Sequence, residues 1–294
     1  MKLATPKRTI LAGAYAAGFT ALQDAVSSNG AAAWLAPARE RAWARFSELG
    51  FPTARRGNER WKYTNLAPLA QVGFNLAEPP ATLPALDQVR SIAPWDDAWT
   101  TLVFIDGTFS KKLSRPGTPD AVAVDLATAA SARRDVVEAH LTRIAALDEE
   151  HFTLLNTAFQ IDGGFIHIPD GATTPQPIHL LFVSTARSAP SVTHPRTLIV
   201  AGKHSQATII ESYVSLGGGG NFTNAVVEVQ LDEGARVSHY RVLMEDETSF
   251  HIGNTRVRQL ANSHFNSVSV ATGQAIGRND IHVLIEDVLV VEKK

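Results

Sequence analysis

The chain has 294 residues, 45% of them hydrophobic and 19% charged, with a formal net charge of −2 and no cysteine. That balance excludes a disordered polypeptide and fits one large domain or two ordinary ones. It also excludes disulfides, thiolate metal ligands and a general electrostatic attraction to nucleic acid or to an anionic membrane.

Near the start, Lys2, Lys7 and Arg8 precede an apolar stretch over 10–22. The pattern imitates a signal peptide, but Gly13, Tyr15 and Thr20 dilute it, and Gln23 and Asp24 follow without a small-residue cleavage site. An amphipathic helix is expected instead, with the cytoplasm as compartment. No apolar run is long enough to span a bilayer. Residues 1–66 read as helical, with Trp34, Trp43 and Phe46 at helical spacing and a stop at Gly50, Phe51 and Pro52. Pro68, Pro79, Pro80, Pro84 and Pro94 make 67–100 an irregular connection. An apolar strand over 101–105 leads into a tight turn at Asp106-Gly107. Helix returns over 134–159, with Val137, Leu141, Ile144, Leu147 and Leu155 on its buried side. Residues 1–160 are therefore expected to form a mainly helical N-terminal region with one short strand.

Strands are expected from Phe165 onward, over 165–169, 179–184, 197–201, 207–214, 225–231, 235–243, 255–260, 264–271 and 281–291. Like residues recur along them at a constant step. Leu181, Ile209, Val237 and Phe265 are each 28 positions apart. So are Val214, Val242 and Val270, and so are Val229, Val257 and Ile285. Such a period predicts a right-handed parallel β-helix over 161–294, in which each turn lies on the one below. An antiparallel sandwich is the alternative. In the coil, Ile209, Val237 and Phe265 would line a dry interior. Glu228–Arg256 and Arg258–Glu286 would pair across turns on an outer face. Glu211, His239 and Ser267 would stack as a hydrogen-bonded ladder at a corner, or, as the functional alternative, form a polar site inside the coil.

A family resemblance enters at 50–65, which reads Gly-Phe-Pro-Thr-Ala-Arg-Arg-Gly-Asn-Glu-Arg-Trp-Lys-Tyr-Thr-Asn. Further segments follow in order: Leu155-Asn156-Thr157-Ala158-Phe159 with Asp162-Gly163, and Ile168-Pro169-Asp170-Gly171 with Pro177-Ile178. After them come Glu211-Ser212-Tyr213, Phe222-Thr223-Asn224 and Gly277-Arg278-Asn279-Asp280. Together they resemble the SufD branch of the SufB/SufD family, from the SUF iron–sulfur cluster assembly system. The resemblance implies helices followed by a β-helix and a non-enzymatic scaffold role. It implies a SufB partner joined through the β-helices, and the ATPase SufC gripped by a C-terminal helical region. It implies no cofactor held firmly by this chain, with an iron–sulfur cluster only in complex with SufB. Partner-contact or structural roles fall to Trp61, Tyr63, Glu211, His239, Ser267, Arg278, Asn279 and Asp280. The family pattern continues beyond Lys294, so a shortened or frameshifted chain is expected, with an open coil end that self-associates near 281–291.

Other chemistry is weakly supported. Gly202-Lys203-His204-Ser205 lacks the upstream glycine of a phosphate loop, and Gly217–Gly220 lacks its lysine. No Ser nucleophile elbow occurs. The histidines show no metal-ligand spacing, though His239, His251 and His264 sit on strands where ligands leave no local signature. Trp61 and Tyr63 are expected as anchors of the N-terminal region rather than nucleotide-stacking rings. The alternatives to the scaffold are a non-functional fragment and a carbohydrate-active β-helix protein. The latter needs exposed paired carboxylates, whereas Glu245, Asp246 and Glu247 crowd into one loop.

Overall fold

A computed structural model describes residues 15–24, 33–53, 59–115, 117, 119–145 and 150–286. Helix α1 spans 15–24 and α2 spans Ala36–Leu49. The second ends where expected: Gly50 adopts φ 64° and its N–H donates to the Phe46 carbonyl. Strand β1 (Asn75–Leu76) and helix α3 (Leu86–Ile92) punctuate the proline-rich connection. Strand β2 (Thr100–Ile105) turns into β3 (Thr108–Phe109) through Asp106 and Gly107, both at positive φ (49° and 81°), the geometry of a two-residue hairpin turn. Strand β4 (Val122–Asp125) runs into α4 (Leu126–Ala132), whose first turn is capped by the Asp125 carboxylate accepting from the Thr128 N–H.

The helix expected over 134–159 is two helices, α5 (Arg134–His140) and α6 (His151–Phe159). The break has a physical cause. The backbone N–H groups of Thr142, Ile144 and Ala145 donate to the buried Glu228 carboxylate at 2.9, 3.1 and 2.7 Å, and only that of Ile144 is shared with a carbonyl one helical turn back, that of His140 at 3.4 Å.

The strands that follow are β5 (Gly164–Ile168), β6 (Ile178–Thr185), β7 (Ser191–Thr193), β8 (Arg196–Ala201) and β9 (Gln206–Leu216). Then come β10 (Phe222–Leu231), β11 (Arg236–Met244), β12 (Phe250–Gln259), β13 (His264–Thr272) and β14 (Ile276–Ile285). One sheet stacks β4, β5, β8, β10, β12 and β14, with β7 and β1 beside the start of β10; the other stacks β3, β2, β6, β9, β11 and β13. Every ladder from β5 onward is parallel, which makes the core a parallel β-helix of about four turns and rules out the antiparallel sandwich. Strand β2 pairs with β6 and β4 with β5, so residues before 161 complete both sheets.

The two sheets face each other across an apolar interior. Ile166, Ile199, Val227 and Val229 meet Leu180, Ile209, Val237 and Leu243 there. Each such side chain contributes about 1.5–3 kcal/mol by leaving water. The outer face of the first sheet is sealed by an aromatic layer in which Trp61, Phe74, Phe152 and Phe159 pack on Phe222 and Phe250.

The constant 28-residue step holds for one turn only. Partners on the first sheet are 30 residues apart from β8 to β10, 28 from β10 to β12 and 26 from β12 to β14. On the second sheet the step is 31 from β6 to β9, 30 from β9 to β11 and 28 from β11 to β13. Ile209 therefore faces His239 instead of Val237, although Val237 does face Phe265. Val214 pairs with Met244, and Ile285 with Gln259. An error of two keeps a residue on the same face of a strand, so Ile209, Val237 and Phe265 all point inward. An odd error does not. Leu181 pairs with Ser212 and points outward, among Val103, Val183 and Val214.

Candidate functional site

The residues singled out by sequence gather at two places. The first is a clamp between the N-terminal region and the last described strand. On β14, alternation sends Arg278, Asp280 and His282 outward and Asn279 inward. The Arg278 guanidinium lies 3.9 Å from the centre of the Trp61 ring. It donates to Thr64 Oγ1 at 2.9 Å, and through Nε and Nη2 to Asp280 Oδ2 at 3.0 and 2.9 Å. Trp61 is buried, its ring centre 5.2 Å from that of Phe152. Nearby, Arg60 Nη2 lies 3.0 Å from His282 Nε2. The clamp thus joins the segments around 61 and 278. Tyr63 takes no part in it: the ring is 89% exposed and touched by the Lys62 ammonium at 5.3 Å. The anchor expectation fails for Tyr63 because the chain turns at 62–63, sending Trp61 inward and its neighbour to solvent.

The second place is a polar file inside the β-helix. Glu211 and His239 do meet, with Glu211 Oε2 2.9 Å from His239 Nε2, but along a diagonal. In register, Glu211 faces Arg241, and His239 faces Ile209 on one side and the half-buried Ser267 on the other. The group lies mid-strand and inside the coil, not at a corner, because inward-facing positions on β9, β11 and β13 all converge there. Thr197 Oγ1 donates to Glu211 Oε1 at 3.0 Å. Beside it, Arg241 spans the interior. Its Nη2 is 3.1 Å from His251 Nε2 and its Nη1 donates to Asn279 Oδ1 at 2.6 Å. His251 Nδ1 lies 2.9 Å from Glu245 Oε2, and Thr223 Oγ1 donates to Glu245 Oε1 at 2.9 Å. Asn279 closes the file by donating to Ser269 at 3.3 Å. At Gly253 an added Cβ would sit 2.5 Å from Arg241 Nη2, so a larger residue there would displace the guanidinium.

Sequence reasoning did not place Arg241, Glu245, Thr223 or Thr197 in this file, and singled out His251 only as a strand-borne histidine. A signal was available: Arg241 shares the parity of the inward residues Val237 and Leu243. It also missed the pair beneath the helices. Arg196 and Glu228 are both fully buried, with Nη2 and Nε of Arg196 at 2.5 and 2.9 Å from Glu228 Oε1. Glu228 was expected to pair with Arg256 on an outer face; the cover of α6 and 141–145 gives it Arg196 instead. The other expected cross-turn pair forms, with Arg258 donating twice to Glu286 at 2.9 and 2.7 Å.

The electrostatics of the interior follow from burial. Burial pushes the Glu211 carboxyl up, but the hydrogen bond and charge of His239, with the charge of Arg241, overcome it and hold the group below its usual range. Burial lowers His251, opposed by Glu245. Burial and then the Glu211 charge raise Tyr213 well above its usual value. The file therefore holds one fixed cation and two carboxylates, each against an imidazole, with His251 alone bridging Glu245 to Arg241, an arrangement suited to locking strands in register. Among the described residues no group of three or more His, Asp or Glu side chains has the geometry of a metal site. The acidic loop offers no exposed carboxylate pair with Glu245, which is buried, while Asp246 accepts from Thr248 and Ser249. Among the described residues no helix is long and apolar enough to cross a membrane.

Comparison with known proteins agrees with this architecture. Residues 12–180 match the family model described as the SufBD protein N-terminal region. Residues 182–288 match the SUF system FeS cluster assembly, SufBD core domain. The chain is 29% identical over 235 residues to the iron–sulfur cluster assembly SufBD family protein slr0076 of Synechocystis, covering 77% of this chain and 51% of that protein. It is 28% identical over 192 residues to the iron–sulfur cluster assembly protein SufD of Bacillus subtilis, covering 62% and 42%. Against SufD of Escherichia coli it is 24% identical over 244 residues, covering 79% and 51%. The chain spans about half the length of these curated relatives. The helical cover and the coil carry the two family signatures in sequence order, and the chain belongs to the SufBD family.

Proposed function

We propose that this chain is a non-enzymatic scaffold subunit of the SUF machinery, SufD-like, that supports assembly and transfer of iron–sulfur clusters in the cytoplasm. One observation carries the reading: the two SufBD family signatures follow each other along one continuous β-helix and its helical cover. The partner is a SufB-type subunit that joins coil to coil, and SufC is the associated ATPase. Strands β13 and β14 favour such joining, because among the described residues each is paired on one edge only. With no cysteine, this chain supplies no thiolate to a cluster, so a cluster would be shared with SufB.

The test is co-purification of the tagged chain with SufB and SufC from the same cell. Retention of SufB is expected. Capture of neither overturns the scaffold reading and leaves a fragment without that role. Hydrolysis of a polysaccharide would instead favour the carbohydrate-active alternative.

A further inference from the structure

We propose that Arg39 and Gln160, where the start of α2 meets the end of α6, bind a single small monovalent anion of halide size. The two helices run antiparallel. His151 Nδ1, at the start of α6, lies 2.6 Å from the carbonyl of Gly50 just past α2, and Arg39 meets Gln160 at the other end. Arg39 and Gln160 are only 4 and 2% exposed. Arg39 Nη2 donates to the Gln160 carbonyl at 2.8 Å. Its Nε and Nη1 have no partner, and neither have Nε2 and Oε1 of the Gln160 side chain.

A buried guanidinium with two of its three nitrogens unpaired costs several kcal/mol unless something compensates it. The carbonyl end of α6 takes one nitrogen, and a helix terminus carries only about half a charge. No carboxylate supplies the rest. Burial alone lowers the Arg39 guanidinium to about 10, with no acidic group opposing it. Glu40, next in sequence, is exposed and accepts from Gln23 Nε2 at 3.4 Å. Asp148, Glu149, Asp287 and Glu292 are the only acidic residues outside the described ones. The first two adjoin Glu150, the cap at the opposite end of α6, about 14 Å along the helix from Gln160. The last two follow β14, four strands from the β5 that Gln160 leads into.

The unpaired nitrogens, Arg39 Nε and Nη1 and Gln160 Nε2, are all donors, which selects an anion. The first turn of α2 adds to the attraction. No side chain caps it, and helix side chains lean towards the N-terminus, which puts the Arg39 guanidinium by the positive end of that helix. Enclosure sets the size: a chloride ion suits a site this buried, whereas a carboxylate carried on a partner protein does not reach it.

Thermal unfolding of the whole chain in sodium chloride and in sodium gluconate at equal ionic strength tests this, since gluconate is too large for an enclosed site. The midpoint should be higher in chloride by about 3 °C once the free anion exceeds its Kd about ten-fold. Arg39→Met removes the guanidinium donors and should abolish the difference. Bromide anomalous scattering from crystals of the unmodified chain needs no variant, and a peak beside Arg39 Nε or Nη1 is expected. Equal midpoints in the two salts overturn the proposal. So does a chloride effect undiminished in Arg39→Met, and so does bromide found only at surface positions, an adventitious ion only.

Discussion

His179 and His194 are buried, and burial pushes both imidazoles down to about 3. The folded chain keeps them neutral, while the unfolded chain protonates each near the ordinary value of about 6.5. Between those limits the unfolded state holds more protons, so their contribution is complete above about pH 6.5 and lost as pH falls towards 3. Asp162 has the opposite sign. Burial pushes its carboxyl up to about 7, against hydrogen bonds from Gly163, Ala127 and Phe109. Its contribution is greatest at acid pH and declines as pH rises to about 7. Each group changes stability by about 1.4 kcal/mol per pH unit inside its window. Two histidines outweigh one aspartate, so the thermal midpoint should drop on acidification from pH 6.5 to 4. Asp162→Asn removes the opposing group and should steepen that drop. A midpoint that is flat over this interval, or a shallower slope in the variant, contradicts the assignment. At this scale the sequence was readable where a residue acts locally. Gly50 and the Asp106-Gly107 turn follow from backbone geometry alone. Arg196 and Arg241 did not, because a charge in a strand reads as surface until the partner that neutralises it is known.

Strand β14 is held from two sides. Its backbone pairs with β12, and its outward arginine grips the 59–64 segment through Trp61 and Thr64. The stacked guanidinium and its hydrogen bonds together stabilise the contact by about 1–2 kcal/mol. Arg278→Ala should therefore loosen 59–64 and speed tryptic cleavage after Arg60 and Lys62 several-fold. Arg278→Lys should rescue little, since an ammonium lacks the planar fork. Equal cleavage rates in Arg278→Ala and the parent chain would show the clamp carries no weight. The strands were legible as elements, because alternation over eight to ten residues needs no tertiary context. The break between α5 and α6 was not: it is imposed by Glu228, more than 80 residues away in sequence.

The fourth turn leaves inward-facing apolar groups uncovered. Ile281, Val283 and Ile285 are 42, 45 and 73% exposed; the first two lie in register with the buried Thr255 and Val257 of the turn beneath, the third with the half-buried Gln259. Among the described residues β13 and β14 are each paired on one edge only, and such edges and exposed apolar positions favour association. Light scattering at micromolar concentration should show the isolated chain above monomer mass, with Val283→Lys shifting it down. A clean monomer for the unmodified chain counts against this surface. The coil itself was legible as a period in the sequence, and the polar file only as Glu211 and His239. A fixed period finds faces well and partners poorly when turns differ in length.

From β9 to β14 the differences follow a rule with its own outcome. One half-turn is constant, 14 residues from Phe222 to Arg236 and again from Phe250 to His264. The other half shrinks, from 16 residues between Gln206 and Phe222 to 14 between Arg236 and Phe250, then 12 between His264 and Ile276. Losing residues in pairs preserves which side chains look inward. The spiral is thus a staircase whose treads shorten by whole dipeptides: such a chain can trim or extend a step two residues at a time and keep its inside in, whereas a lone insertion within a strand would turn everything up to the next corner inside out.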